Sequence, residues 1–444
     1  MKRFVNWART VSCTPARFAR PASEDELREI LRASRRVKVV GAGHSFNGSA
    51  CTDGTLVSLD GMSRVLACEG DTVTVEAGIR LDALNHALAQ RGLALGIVGS
   101  IARQSIAGAI ATGTHGSGPR HGSLAAMVRG LRLMLADGSV RDLAPGDELF
   151  DAARVSLGAL GVVTRVTLQC EPAFALEEIA QPMRFDDAVA AIDGLVRSEA
   201  YVKLWWLPHT DTVQVFRYRR TQEPHTFSRM KRWLDDRVIN RIAFAALLSL
   251  SRIAPAIIPA VNRVVRAVYF LPRRTVARSD LALTIPMPPV HEEVEYAVPL
   301  ERAAEALRGL RALIDRERLR VNFVAELRFV APDEAWLSPA YGRPTAYLGA
   351  YMARAPGIDR YFALFEQLMQ ALGGRPHWGK QFSLDAGALR AAHPNLARFA
   401  ALRDALDPEG RFDNDWLSRV LPRHRTLAQP PTLQLEASLR SSVR

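Results

Sequence analysis

Residues 37–48 read VKVVGAGHSFNG, and residues 99–118 read GSIARQSIAGAIATGTHGSG. The first stretch is a β-branched strand running into small residues that end it. Gly41-Ala42-Gly43 invites comparison with the dinucleotide fingerprint of a doubly wound sheet. That fingerprint needs a third glycine three residues on, where a helix packs against its strand. Phe46 stands there, and Asn47, Gly48 and Ser49 do not propagate a helix. Asp60 lies at about the spacing of a ribose-binding acid, but the strand–helix–strand context is missing. The doubly wound reading fails. An anion nest survives: successive small residues let backbone N–H groups converge on a pyrophosphate without a helix. His44 lies inside that nest; on this loop alone a backbone-bonded turn histidine and a functional one are equally open. The second stretch, rich in glycine with serine and threonine interleaved, cannot be regular throughout and can wrap a flat polar ligand. His115 within it reads as loop support rather than as a catalyst.

Outward from these loops, SEDELREILR (23–32) is a helix opened by a capping box of Ser23 and Glu26. LDALNHALAQRG (81–92) is a second helix, closed at Gly92. TLVSLD (55–60), DTVTVEAG (71–78) and LGALGVVTRVTLQC (157–170) contain strands, and LRLMLADGSVRDL (131–143) is a hairpin around Asp137-Gly138. Beyond residue 171 the texture changes. Strands are expected in YVKLWWLP (201–208), TVQVFRYRR (212–220), ALTIPM (282–287), EVEYAVP (293–299), VNFVAELRFV (321–330) and TAYLGAYMAR (345–354). A basic, apolar, helical stretch covers 225–274, and further helices cover 300–319, the region of 359–374, and 398 onward to Pro408. Lys203, Trp205 and Trp206 read as sheet packing. His377 and Trp378 read equally as core or as substrate contacts. No internal repeat is present.

The chain has 444 residues, 48% hydrophobic and 23% charged, enough for a large core in two or three domains. Its net charge of +12 is carried by arginines scattered along the whole length. A nucleic-acid binder would gather them on one face or tail, so none is expected as a partner. The four cysteines show no CxxC spacing, which predicts free thiols, and no apolar leader precedes Arg9. The longest apolar run, IAFAALLSLS (242–251), is half a membrane span. A cytoplasmic protein is expected, with peripheral membrane contact through 225–274 as the lesser alternative to a basic helical insertion packed on the protein.

The ordered series KVVGAGHSF, CTDG, VEAG, GSIARQSIAGAIATGTHGSG and ARVSLGALGVVTRVTLQC resembles the flavin domain of the vanillyl-alcohol oxidase superfamily. With LWWLPHTDTV, AELRFV, DEAWLSP, PHWGK and LDPEGRF, the chain resembles the aldonolactone oxidases from NWART at residue 6 to RVL at residue 421. The resemblance implies an α+β protein of two domains in the vanillyl-alcohol-oxidase-type fold. Residues 1–175, rejoined by about 381–421, would bind FAD; residues 176–380 would form a cap on an antiparallel sheet; 422–444 would be a disordered tail. It further implies covalent FAD through His44. Val40, Gly41, Ala42, Gly43 and Ser45 match the pyrophosphate loop. Ser105, Gly108, Thr112, Thr114 and Gly116 match the second flavin segment, and Val162 and Val163 match the strand beside the adenosine.

Glu326, Arg328, His377 and Lys380 match the catalytic positions. Glu326 and Arg328 flank Leu327, so on a strand both point to one face. A carboxylate there can accept or position a hydroxyl proton, while Arg328 and Lys380 stabilise developing negative charge. Without the resemblance, the pair reads as an ordinary ion pair. The implied reaction is oxidation of the carbon beside the carbonyl of an aldono-1,4-lactone, reoxidised by O2 or another acceptor. With L-gulonolactone the product would tautomerise to ascorbate. The alternatives are an alditol oxidase and a lactone dehydrogenase that does not use O2.

Overall fold

The computed structural model describes residues 3–228, 230, 245–285 and 289–423. The expected tail therefore lies outside the described residues from 424 onward, as do 229 and 231–244 of the basic stretch.

The N-terminal part is built on two main sheets, beside the short pairs Phe4–Val5 with Ser12–Cys13 and Leu93–Ala94 with Glu171–Pro172. Val37–Val40 and Arg17–Ala19 lie parallel on either side of Thr55–Ser58. The crossover from Val37–Val40 to Thr55–Ser58 carries only one 3-10 turn, Gly48–Ala50, which is why no dinucleotide-type helix forms. A five-stranded antiparallel sheet runs Val140–Leu143, Val128–Met134, Val162–Gln169, Thr72–Glu76, Val65–Glu69. The expected capping box is present with a shift of one residue. The Ser23 hydroxyl accepts from the Glu26 N–H at 3.2 Å, while Glu26 reaches back to the Ala22 N–H at 2.9 Å.

The second part is one eight-stranded antiparallel sheet. Its order is Arg273–Arg278, Ala175–Arg184, Thr212–Thr221, Tyr201–Trp206, Ala325–Val330, Thr345–Met352, Glu292–Pro299, Arg375–Pro376. Helices Ala303–Arg316 and Ile358–Ala371 pack against each other and against its central strands. They bury one apolar layer through Leu307, Leu310, Ile314, Phe365 and Met369. Ala325–Val330 is buried at every position, so both faces of the sheet are covered there.

Several expectations are corrected. ALTIPM contains no described strand: Ser279–Leu283 is helical, and the strand lies earlier, at Arg273–Arg278 inside the stretch read as helical. Cross-strand pairing with Ala175–Arg184, including Arg273 and Arg274 with Glu178 and Glu177, outweighs the local helical pattern. The rest of the basic stretch does give helices, Ala245–Ile253 and Ile258–Tyr269. Among the described residues no helix is long and apolar enough to cross a membrane.

The C-terminal segment returns to the first glycine loop. The Val37 N–H donates to the Arg411 carbonyl at 2.7 Å, and buried Lys38 donates to the Phe412 carbonyl at 3.2 Å. The Asn414 amide donates to the carbonyls of Gly48, Ser49 and Cys51 at 3.0, 3.1 and 2.7 Å.

Candidate active site

Gly41 and Gly108 bring the two glycine-rich segments together. A Cβ on Gly41 would collide with the Ser105 hydroxyl, and one on Gly108 would stand 3.1 Å from the same oxygen. Gly43 has φ +68°, the left-handed region that glycine enters freely. The N–H groups of Gly43, His44 and Ser45 have no hydrogen-bond partner among the described residues. Their residues lie along a groove between the two glycine-rich segments. Val40, Gly41, Ala42, Gly43, His44, Ser45, Ser105, Gly108, Thr112, Val162 and Val163 all line it.

Thr114 and Gly116 do not, which corrects two expectations. Past Thr112 the segment turns away, so the Thr114 hydroxyl accepts from Gln104 at 3.2 Å and Gly116 packs on Ile97 and Val98. Burial, with the charges of Lys380, Arg80 and Arg103, lowers the His44 pKa to about 4, leaving a neutral imidazole. A groove with small-residue walls and free N–H groups fits a dinucleotide.

At one end the groove meets the large sheet. The Phe46 N–H donates to the Gly379 carbonyl at 2.8 Å, and Asn47 donates to the Trp378 and Lys380 carbonyls at 2.7 and 2.8 Å. Register then gathers the polar residues. Glu293 lies opposite Tyr351, Glu295 and Glu326 both opposite Gly349, Arg328 between Tyr347 and Lys203, and Trp205 opposite Glu326. Directly opposed residues share a face. The alternate residues, including Leu204, Val294, Leu327 and Leu348, form the core under the helices.

Glu293, Glu295, Glu326, Arg328 and Lys203 are all buried. Buried charges persist only when paired. Arg328 bonds Glu295, and Lys380 bonds Glu293. Glu326 accepts from the Trp205 ring N–H at 2.7 Å and the Tyr351 hydroxyl at 2.6 Å, with Arg328 Nε 3.5 Å away. Burial works to raise all three carboxyls. For Glu326, Arg328 and Lys203 with the two hydrogen bonds outweigh it and hold the pKa down. Arg328 holds Glu295 well below the carboxylate range. Burial wins at Glu293, which is pushed up to about 7 despite Lys380.

Two histidines complete the face. The His115 ring stacks on Tyr347 with centroids 3.6 Å apart, and its Nε2 lies 3.5 Å from Glu295. His377 Nδ1 accepts from the Gly379 N–H at 3.0 Å, and its ring is 5.5 Å from His115. Donor atoms of His115, Glu295 and His377 lie within 4.8 Å of one another, a spacing that would suit a metal. The hydrogen bonding does not: His377 Nδ1 is engaged as an acceptor, so its neutral ring carries hydrogen on Nε2, and Arg328 already holds Glu295.

The predicted Glu326, Arg328, His377 and Lys380 are thus brought together. Trp378 is core: its ring N–H donates to the Leu337 carbonyl at 2.5 Å and its ring lies 4.8 Å from that of His393. Lys203 and Trp205 belong to the polar face and only Trp206 is packing, which corrects the reading of all three as sheet filler. Glu293, Glu295, Tyr347 and Tyr351 were missed. Their signal was present: Glu-x-Glu in HEEVEYAVP and Tyr-x-Gly-x-Tyr in TAYLGAYM put them on one side of adjacent strands.

Residues 166–420 match the D-arabinono-1,4-lactone oxidase family, and residues 15–144 match the FAD binding domain family. The chain belongs to the first of these families. Among relatives of this aldonolactone oxidase family member is the L-gulono-1,4-lactone dehydrogenase of Mycobacterium tuberculosis. It is 38% identical over 424 residues, covering 94% of this chain and 98% of the relative. The L-gulonolactone oxidase of Scyliorhinus torazame is 35% identical, and the alditol oxidase of a Streptomyces species 36%, with the same coverages. A variant of the cholesterol oxidase from Brevibacterium sterolicum superposes with a TM-score of 0.80 at 15% identity, over 95% of this chain and 97% of that one. It shares the fold, the vanillyl-alcohol-oxidase type. These relationships lend no support to membrane contact through 225–274.

Proposed function

We propose that the protein oxidises the hydroxyl-bearing carbon beside the carbonyl of an aldono-1,4-lactone. One observation carries this beyond family membership. Five buried polar atoms on the sheet face have no hydrogen-bond partner among the described residues: His115 Nε2, Glu293 Oε1, Glu295 Oε2, Arg328 Nε and the Tyr347 hydroxyl. Buried polar atoms are ordinarily satisfied. An interleaved set of free donors and acceptors suits a compact molecule with several hydroxyls.

FAD, when bound, supplies the hydride acceptor. Glu326, fixed by Trp205 and Tyr351, accepts a hydrogen bond from the substrate and sets its orientation. Arg328 and Lys380 stabilise negative charge that develops on oxygen. Burial of the face keeps bulk water from it. The cofactor half comprises 1–175 with 381–421, and the cap 176–380. A cytoplasmic location accords with four free cysteines, as a reducing compartment keeps them.

We also infer that His44 carries the flavin covalently. Its ring lines the groove and is held neutral, leaving a lone pair to form the bond. Acid precipitation of the holoprotein should leave yellow colour in the pellet, and His44→Ala should release it to the supernatant. A wild-type pellet without colour would refute the linkage. Steady-state assays with L-gulono-1,4-lactone, D-arabinono-1,4-lactone and xylitol, under air and with an artificial acceptor, test the substrate and the acceptor. Turnover of xylitol alone would replace the lactone reading with an alditol oxidase.

A further inference from the structure

We infer that His115, supplied by the cofactor half, is the group that takes the hydroxyl proton of the substrate; this rests on the functional reading above. His115 Nδ1 lies 2.9 Å from the Gly116 carbonyl oxygen. That oxygen can only accept, so Nδ1 carries the ring hydrogen. Nε2 then presents a bare lone pair, buried and without a hydrogen-bond partner, on the face where the free polar atoms gather.

The competing carboxylates are less suited. Both Glu326 oxygens already accept from Trp205 and Tyr351, and these bonds with the Arg328 charge favour the ionised carboxylate over the protonated one. Glu295 is bound by Arg328 and lies low in pKa. Glu293 is tied to Lys380 and sits opposite Tyr351, farther along the strand.

His115 has what a base in this position needs. Burial and the Arg328 charge hold its ring neutral, so the accepting form is populated at neutral pH. Once Nε2 is protonated, Glu295 at 3.5 Å faces the new positive charge. Tyr347, stacked on the ring, fixes its plane. In the reaction the substrate O–H bond breaks and its proton forms the Nε2–H bond. FAD, when bound, would take the hydrogen and electron pair of the neighbouring C–H bond, a two-electron acceptance that balances formation of the C=O bond. The charged or titratable groups facing the ring are Glu295, Arg328, Tyr347 and His377, with Glu293 and Lys380 beyond.

The test is stopped-flow reduction of the holoprotein by lactone, without oxygen, across pH. The wild-type rate should fall in acid as His115 is protonated. His115→Gln should lose about 10²- to 10⁴-fold in the reduction rate, as removal of a general base does, and lose the acidic limb. His115→Ala should regain rate on addition of imidazole. Flavin absorbance and melting temperature of both variants report whether the fold persists. Independently of turnover, ¹⁵N shifts of labelled histidine should show hydrogen on Nδ1 of the residue lost in His115→Gln. Hydrogen on Nε2, a near-wild-type rate in His115→Gln, or an acidic limb abolished instead by Glu293→Gln would overturn the assignment. Wild-type flavin left oxidised by every lactone would refute the functional reading itself.

Discussion

Glu326 and Glu293 sit on the same sheet face, yet their environments send their carboxyls in opposite directions. Glu326 collects two donors and two cations; at Glu293 full burial and the Glu295 charge outweigh Lys380 and the weaker pull of Arg328. Glu326→Gln should therefore act on substrate positioning, raising KM about tenfold for one weakened hydrogen bond to a charged group, with the acidic limb of flavin reduction unchanged. Steady-state kinetics checks the KM effect, and a lost limb would move the base to Glu326. Glu293 makes a stability prediction. Its folded pKa of about 7 exceeds the ordinary 4.5, so the folded protein retains a proton that the unfolded chain releases. That contribution is complete below pH 4.5 and is lost as pH rises through about 7. Glu293→Gln stays neutral throughout. Its melting temperature should gain on the wild type between about pH 5 and about pH 8, on the order of a few degrees. The buried histidines that charge in acid are common to both proteins and cancel in the difference.

Elements place these residues through alternation and close approach. The polar face of Ala325–Val330, Thr345–Met352 and Glu292–Pro299 follows from a period of two, and a slip of one residue would send every charge into the apolar layer beneath the helices. That Glu326 and Arg328 share a face was legible because Leu327 stands between them, while their place in the site was legible only through the resemblance. Glu293 and Glu295 carried the same pattern, but a Glu-x-Glu on an ordinary strand equally describes a solvated edge, and only the neighbouring strands bury it. The glycine loops were legible as loops because no regular element tolerates their composition. The short helix Ile106–Ala111 inside the second was hidden, since Ser105 caps it locally by accepting from the Gly108 N–H at 3.3 Å. Gly41→Ala would drive its Cβ into that serine hydroxyl. Loss of the cap costs about 1 kcal/mol. Flavin content per protein should fall, and Ser105→Ala added to Gly41→Ala should reduce it little further, because both remove the same contact.

Across the whole molecule, cofactor groove and substrate face are joined by few but well-defined contacts. Asn414 holds three carbonyls of the loop after His44 while its own oxygen caps the final helix at the Leu417 N–H, 2.8 Å away. Asn414→Ala would leave several buried carbonyls unpaired. A stability loss of about 1–3 kcal/mol is expected, read as a lower melting temperature in which flavin release accompanies unfolding; an unchanged melting temperature would mean the C-terminal return is dispensable. The sequence by itself determined the loops and most strands and helices, because spacing and local backbone chemistry are properties of short segments; the flavin class and the Glu-x-Arg, Lys380 and His44 positions came from the resemblance of its ordered motifs to the aldonolactone oxidases. The strand at Arg273–Arg278, the recruitment of Lys203 and Trp205, and the meeting of His115 with Glu295 were decided only by tertiary structure. Each depends on partners far away in the chain, and whether a buried polar atom keeps a partner or remains free is settled only when distant strands come into register.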